Sequence, residues 1–482
     1  MSGSFKNIPI KVEQTQRQTP APGTEQVSLY EASKKVYPRS VKGLFNNFRV
    51  LFVLATQIVF FGLPWINWNG HQAAHFDLVE RKFQIFALTI WPQDLIYLAA
   101  LLIISAFGLF AWTTIAGRLW CGYSCPQTVY TEIMLWIEQW VEGDRMKRMK
   151  LDAAPMSLRK LRIKTTKHTL VLAFCLWTGF TFVGYFTPIR ELTAALPALN
   201  YSATETFWIL FYAGFTYLFA NVLREQMCKY MCPYARFQSV MFDADTLIIS
   251  YDEKRGEGRG ARKKGVNPRE LGLGDCIDCN ICVQVCPTGI DIRNGLQIEC
   301  IGCAACIDAC DGVMDKMGYP RGLIRYTTEN ALQGKYPESE IRAHMKRPKA
   351  VLYNVLLALA VGATVTSYAM RQPIKVEVLR DRASLVQETS DGWLQNSYSL
   401  KISNLSEQTQ HYKLSVKGMP LIKLKTDTPI ATVKSGEIAT VPVRVNSLPD
   451  YATKGSHEIA FVIESVEHSE QVVEEKSSFI GE

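Results

Sequence analysis

Five long apolar runs, eight closely spaced cysteines between the last two of them, and a tail of short alternating runs predict a multi-domain membrane protein. The expected architecture is an α-helical transmembrane bundle of about five spans, an inserted cytoplasmic α+β domain built on the cysteines, and a C-terminal all-β sandwich. The 482 residues are 48% hydrophobic and 20% charged, with a mean hydropathy near zero, as membrane and aqueous parts averaged together would give. The expected divisions are a cytoplasmic tail 1–48, four transmembrane helices with a basic loop 49–223, a cytoplasmic cysteine-rich segment 224–350, a fifth transmembrane helix 351–370 and a periplasmic sandwich 371–482.

The apolar runs extend over Val50–Trp68, Leu95–Gly117, Thr169–Pro188, Phe207–Val222 and Val351–Met370, the fourth having the shortest strictly apolar part. The run FQIFALTIW, Phe83–Trp91, is too short to cross and is expected on the membrane surface or against the bundle. The first 48 residues are polar, with Pro20, Pro22 and Pro38 and no compact apolar stretch, so the first span is expected to be an uncleaved anchor. Basic residues beside a span resist translocation. They gather at Lys34, Lys35, Arg39, Lys42 and Arg49, between Arg145 and Lys167, and between Lys254 and Lys264, while residues 69–94 and 189–205 carry almost no excess. The tail, the loop around residue 150 and the cysteine segment should therefore be cytoplasmic, and everything after Met370 outside. The net charge of +8 is thus explained by topology and lipid contact, with no nucleic acid as partner.

Thirteen cysteines are present, none of them after Met370, where an oxidising compartment would favour disulfides. Eight fall into two runs, Cys276-x2-Cys279-x2-Cys282-x3-Cys286-Pro287 and Cys300-x2-Cys303-x2-Cys306-x3-Cys310. Two-residue gaps let three thiolates wrap one face of a cubane while the fourth reaches the other cluster, the dicluster ferredoxin-like pattern of two 4Fe–4S clusters. Cys276, Cys279, Cys282 and Cys310 are expected to hold one, and Cys286, Cys300, Cys303 and Cys306 the other. Four-cysteine zinc sites also use short gaps, but the doubled three-residue gap favours clusters. Asp311 stands where the first run has Pro287, which leaves the local turn there undetermined.

Four further cysteines form a repeat: RLWCGYSCPQTVYTEIM after the second span and REQMCKYMCPYARFQSVM after the fourth. Proline suits a first helical turn and disfavours helix in the residue before it, so Cys125 and Cys232 are expected to cap helices beginning at Pro126 and Pro233. A thiol there meets the positive end of a helix dipole, and Arg118, Arg224 and Lys229 add charge, all favouring thiolate. Cys121, Cys125, Cys228 and Cys232 are open to three readings: a redox-active dithiol, a soft-metal site for copper(I), zinc or an iron–sulfur cluster, or small buried residues. Met227 and Met231 are candidate thioether ligands but read better as packing, as does Cys175 inside the third span. His71 and His75 would face one way if their loop were helical; as spaced they read as surface residues rather than ligands.

From Arg371 onward IKVEVL, YSLKISN, YKLSVKG, IATVKSGEIATVPVRV and HEIAFVIESV alternate with period two, broken at Ser390-Asp391-Gly392 and Lys434-Ser435-Gly436. This predicts an antiparallel immunoglobulin-like sandwich without a catalytic constellation, a docking module or a passive cap.

The order of spans, the two Cys-x3-Cys-Pro motifs, the dicluster segment, the following GVMDKMGYPRGLIRY and the terminal sandwich closely resemble the cytochrome c oxidase accessory protein family called CcoG, FixG or RdxA, over nearly the whole chain after the tail. The resemblance implies a bacterial inner-membrane, multi-pass protein that acts as a copper(II) reductase in maturation of cbb-type haem-copper oxidase. It implies the eight cysteines Cys276–Cys310 as cluster ligands and Cys121, Cys125, Cys228 and Cys232 as copper-linked thiols. Partners implied are the lipid bilayer and oxidase assembly factors or copper carriers, and a homo-oligomer is compatible with the chain. No nucleotide or flavin fingerprint is apparent, so electrons are expected from a separate protein or from quinol. Two other readings are a quinol-linked electron conduit and an assembly platform whose clusters are structural. The sandwich favours the accessory-protein reading over the first, and redox titration separates the second.

Overall fold

A computed structural model describes residues 35–481 apart from 69–70, 80–81, 87, 92–93, 199, 382–385 and 407. The expected tail up to residue 34, with Pro20, Pro22 and Lys34, lies outside the described residues. The chain divides into two compact units, one formed by 1–78, 84–88 and 101–360 and the other by 79–83, 89–100 and 361–482.

In the first unit the apolar runs become helices. Over the whole described chain, four are long and apolar enough to cross a membrane: Leu44–Trp65, Leu95–Ala116, Ala203–Leu223 and Pro348–Ala369. The expected third span lies in the helix Leu158–Val183, whose first turns carry Arg159, Lys160, Arg162, Lys164 and Lys167. Only its part after Lys167 is apolar, shorter than the roughly 20 residues that a span needs, so it does not join the four by composition. It packs along Ala203–Thr216, and Gly179 allows the approach, because an added Cβ would stand 2.4 Å from the Ile209 carbonyl oxygen. Cys175 is fully buried there among Met134, Val171, Ala213 and Ala220, a packing residue as expected. Ser202 and Glu205 form a capping box that starts the next helix at Ala203, before its apolar run. That helix passes at Tyr217 into a π-helical turn ending at Leu223.

The cysteine-rich segment is α+β. Ile248–Tyr251 pairs antiparallel with Ile324–Thr327, Ile248 opposite Thr327 and Tyr251 opposite Ile324. Their inner residues pack with Ile292, Ile307, Met314 and Leu323 around the helices Ile281–Val285 and Ala305–Met317. The second helix is tied to the first span: Asp308 accepts the backbone N–H groups of Phe45 at 3.2 Å and Asn46 at 2.7 Å. A carboxylate at a helix N-terminus satisfies orphan donors and opposes the positive dipole end.

The second unit is a sandwich of two antiparallel sheets. In one, Lys423–Lys425, Ile438–Ser447, Leu394–Asn404 and Ile374–Arg380 lie side by side, with Gln387–Glu388 also on Leu394–Asn404; in the other, Ile430–Val433, Gln410–Lys417, Gly455–Ser465 and Val472–Gly481. Alternation sends Leu400, Ile402, Val443 and Val445 inward from one sheet to meet Tyr412, Phe461, Ile463 and Phe479 from the other. Asn396 clasps both backbone groups of Ile480, and Tyr398 donates to the Ser478 carbonyl at 2.8 Å. Both expected turns are present, with Gly392 and Gly436 left-handed. The short run Phe83–Trp91 is not helical; it contributes to the strands Lys82–Ile85 and Leu88–Ile90. Trp91 is buried over the Gly436 turn, where an added Cβ would fall 1.8 Å from the indole, so this end of the run packs on the sandwich rather than on the bundle.

Candidate iron–sulfur and thiol site

The two four-cysteine runs share a backbone device. Asp278 and Asn280 flank Cys279 with φ of 54° and 53°, and Gly302 and Ala304 flank Cys303 with φ of 70° and 60°. Left-handed residues on both sides of the middle cysteine curl the loop, and three of these four positions are not glycine, strain that persists only where surroundings impose it. After each curl a helix starts, at Ile281 and Ala305. The first ends at Val285, before Cys286 and Pro287; the second continues through Cys310 and Asp311 to Met317. Asp311 thus replaces a turn by a helix and accepts the Gly322 N–H at 2.9 Å.

The fold brings the cysteines together in two interleaved sets. The charges acting on Cys310 are chiefly those of Cys282, Cys276 and then, beyond Asp311, Cys279; those acting on Cys306 are Cys303, Cys300, Cys286 and then Cys282. Cys282, Cys286, Cys300, Cys303 and Cys306 line one hollow with Ile249, Ile290, Ile292 and Ile301. All eight thiols are free. Burial pushes Cys282 up to about 11, and Cys300 and Cys310 up to about 12, so without metal these groups are neutral; a bound metal deprotonates them. Eight free sulfurs in two sets of four, five of them lining one hollow, fit two cubanes. Arg293 stands beside Cys282, anchored on Asp278 and Asp291 at 2.6 Å each.

The Cys-x3-Cys-Pro turns lie against this domain. Cys121 sits in the short helix Leu119–Tyr123 and Cys228 in a π-helical turn, Met227–Met231. Cys125 and Cys232 cap the helices Pro126–Glu142 and Pro233–Met241. Cys121 and Cys228 pack against the buried hydrophobic cluster of Val285, Ile301, Cys303, Ala305 and Ala309. Gly122 makes the approach possible, since an added Cβ would stand 2.8 Å from the Gly302 carbonyl oxygen and 2.9 Å from Cys303 Cα. Cys121 Sγ donates to Gln238 Oε1 at 3.3 Å, and Gln238 is fully buried.

At Cys121, Cys125 and Cys228 the expected lowering of the thiol pKa does not occur. Burial pushes Cys121 and Cys228 up to about 12 and raises Cys125, whose helix-start N–H groups, from Thr128 and Gln127, lower it by less. Desolvation of the charged form outweighs the dipole. Of the three cations expected to help, Arg118 lowers Cys121 and Cys228. Arg224 is instead committed to Glu138, bonded through both Nη atoms. Met231 is half-exposed. His71 and His75 lie on short strands, each ring against a backbone carbonyl, of Gln72 at 3.0 Å and Phe186 at 3.2 Å. Among the described residues no three His, Cys, Asp or Glu side chains form a set that could hold a single metal ion.

Glu138 escaped the sequence reading altogether. It is buried and binds Arg148 and Arg224 at 3.0 Å and Lys167 at 3.5 Å, joining segments far apart in the chain. Arg118 was read only as nearby charge, yet its guanidinium donates to the carbonyls of Ile298 and Cys300 in the cluster loop and Ala235 in the second turn's helix. No local pattern marks either role.

Comparison with known proteins gives three family models. Residues 223–329 match a 4Fe-4S dicluster domain, residues 98–145 a 4Fe-4S binding domain, and residues 364–482 the IG-like fold at the C-terminal of FixG. The chain is 36% identical to the nitrogen fixation protein FixG of Rhizobium meliloti over 456 residues, 88% of this chain and 86% of that protein. It is 40% identical to protein RdxB of Cereibacter sphaeroides over 422 residues, 86% of this chain and 88% of that one. The crystal structure of a FixG-related protein from Vibrio parahaemolyticus is 28% identical, covering 23% of this chain and 99% of its own with a TM-score of 0.21.

Proposed function

The chain belongs to the FixG family of membrane 4Fe–4S oxidoreductases, and from that premise we propose that it reduces copper(II) to copper(I) at the cytoplasmic face of the bacterial inner membrane, for assembly of cbb-type cytochrome c oxidase. The observation that carries this reading is the packing of Cys121 and Cys228, one thiol from each Cys-x3-Cys-Pro turn, against the buried hydrophobic cluster that contains Cys303. Sulfur ligands beside an electron-transfer centre favour the softer, reduced ion as product.

In this reading Cys276, Cys279, Cys282 and Cys310 hold one cluster, Cys286, Cys300, Cys303 and Cys306 the other, and Cys121, Cys125, Cys228 and Cys232 face copper. When bound, the clusters supply one-electron transfer, the number that copper(II) takes up. The residues of the chain keep the thiols close and dry: Gly122 seats the first turn on Cys303, and Arg118 ties both turns to the cluster loop. The sandwich, placed outside by the charge asymmetry, docks oxidase assembly factors. A copper carrier exchanges the ion at the cytoplasmic side, and a separate protein or quinol supplies electrons.

The test uses the full-length protein purified without oxygen, reduced, freed of reductant and mixed with copper(II). One copper(I) should form for each electron stored, while cluster absorbance returns to the oxidised level. Clusters that stay reduced in the presence of copper(II) would leave an assembly platform as the function.

A further inference from the structure

We propose that the exposed turn at Lys263 and Lys264 docks an acidic protein that carries single electrons, and that this donor reduces the cluster held by Cys276, Cys279, Cys282 and Cys310. The proposal rests on the two clusters of the dicluster segment and not on copper as the acceptor. It starts from access. Of the eight cluster cysteines Cys279 is the exposed one, and it stands between Asp278 and Asn280, which are exposed as well. Its counterpart Cys303 is buried, and the first thiol turn lies against its backbone at Gly122. An external carrier therefore reaches the first cluster at Cys279, while the second is covered where the thiols stand.

The chain that leads into Cys276 is fastened over the loop of this cluster. The Gly260 N–H donates to the Cys276 carbonyl at 3.3 Å, and Arg262 donates to the Gly274 carbonyl at 2.7 Å and to the Tyr319 hydroxyl at 2.9 Å. Arg262 also lies over the Tyr319 ring, 5.1 Å from its centre, a contact that holds the guanidinium in place. Lys263 and Lys264 come next, and Gly265, left-handed with φ of 87°, completes the turn they form. The fastening keeps both lysines at the edge of the loop that carries Cys276.

The charge of this turn is uncompensated. Lys263 and Lys264 are exposed, and neither they nor the exposed Arg269 form an ion pair among the described residues. The carboxylates on the same loops are already engaged: Glu257 by Arg259 at 2.7 Å, Asp275 by Arg255 at 2.6 Å and Asp278 by Arg293 at 2.6 Å. Glu270, the remaining acid, accepts the Asn267 side-chain amide at 3.2 Å. Basic residues set the orientation of a span from within about 15–20 residues of its end, whereas Lys263 follows Leu223 by 40 residues, so topology alone does not account for it. A basic surface beside an exposed redox centre draws a carrier of opposite charge into contact. A 4Fe–4S cluster takes one electron at a time; the donor loses one electron, the cluster gains it, and no bond forms or breaks.

The test uses the full-length protein with its clusters loaded, in nanodiscs of neutral or of anionic lipid, and reduced flavodoxin as the acidic donor. Cluster bleaching followed by stopped flow should slow about tenfold or more as ionic strength rises from about 0.05 M to about 0.5 M. It should slow by a similar factor in Lys263→Glu/Lys264→Glu and by less in Lys263→Gln/Lys264→Gln. Reduced methyl viologen, a small cation, should bleach all three proteins to full amplitude, which reports loaded clusters in each. Zero-length cross-linking should join flavodoxin carboxylates to Lys263 or Lys264, located by mass spectrometry. A charge-reversed protein that flavodoxin reduces at the wild-type rate overturns the docking surface, and so do cross-links confined to other lysines. Substitution effects that appear only in anionic lipid assign the turn to the membrane and overturn it as well. If the charge-reversed protein fails to load, the glutamine pair decides by the same comparison. Copper enters no arm, so the outcome stands apart from that of the copper(II) experiment.

Discussion

Gly122 occupies the first variable position of its Cys-x3-Cys-Pro turn, where the second turn has Lys229, and its glycine has a steric cause: the first turn lies against the Gly302–Cys303 backbone. Gly122→Ala is expected to push that loop away and to lower retained iron by about four atoms per chain, whereas Lys229→Ala leaves the count unchanged. Iron analysis after anaerobic reconstitution checks both. Glu138 carries a second prediction. Although burial alone would raise it, Arg224, Lys167 and Arg148 hold its carboxyl down at about 2, below the usual 4.5. A depressed folded value means that this stabilisation is complete above about 4.5 and is lost as pH falls toward 2. Glu138→Gln, which leaves three buried cations short of a partner, should cost about 3–5 kcal/mol, and thermal unfolding in detergent should show its deficit shrinking over that acid window. Cysteine spacing was legible because ligand sets are written locally. The partner of Arg224 was not, since Glu138 lies 86 residues away.

At the scale of elements, the proline rule placed two helix starts correctly, at Pro126 and Pro233, because proline acts on its own dihedral and its neighbour's. The same local logic expected an activated thiolate at Cys125 and failed, since burial, decided by what packs on the turn, raises it instead. The helix Ala305–Met317 offers a sharper case. Asp311→Pro would restore the residue of the first run, yet it removes an internal helical hydrogen bond, clashes with the preceding turn and deletes the acceptor of the Gly322 N–H. A loss of about 3 kcal/mol or more is expected, seen as lower helicity and earlier iron release on heating. An unchanged variant would mean that the second run tolerates the turn geometry of the first.

For the whole molecule the open element is the helix Leu158–Val183, outside the four by composition but about 39 Å long at 1.5 Å per residue. Just beyond its apolar end, Gly184 and Tyr185 bond to Gln72 and Phe76, while Lys164 at its basic end binds Asp152 and Glu142. Its ends therefore meet different segments, as in a crossing helix. If it crosses with Ala203–Leu223, reporters at Lys150 and Lys263 share the cytoplasm and one at Gly436 reports the periplasm. Lys150 and Lys263 on opposite sides would remove Leu158–Val183 from the spans. The sequence by itself determined the apolar runs, the two- and three-residue cysteine gaps and the period-two tail, since hydrophobic period and ligand spacing are properties of neighbours along the chain. Only the tertiary structure decided that Arg118 rather than Arg224 serves the thiols, that desolvation raises Cys121, Cys125 and Cys228, and that Trp91 rests on the sandwich. Charge pairing and desolvation depend on residues that the chain brings together from afar, and no local pattern records which will meet.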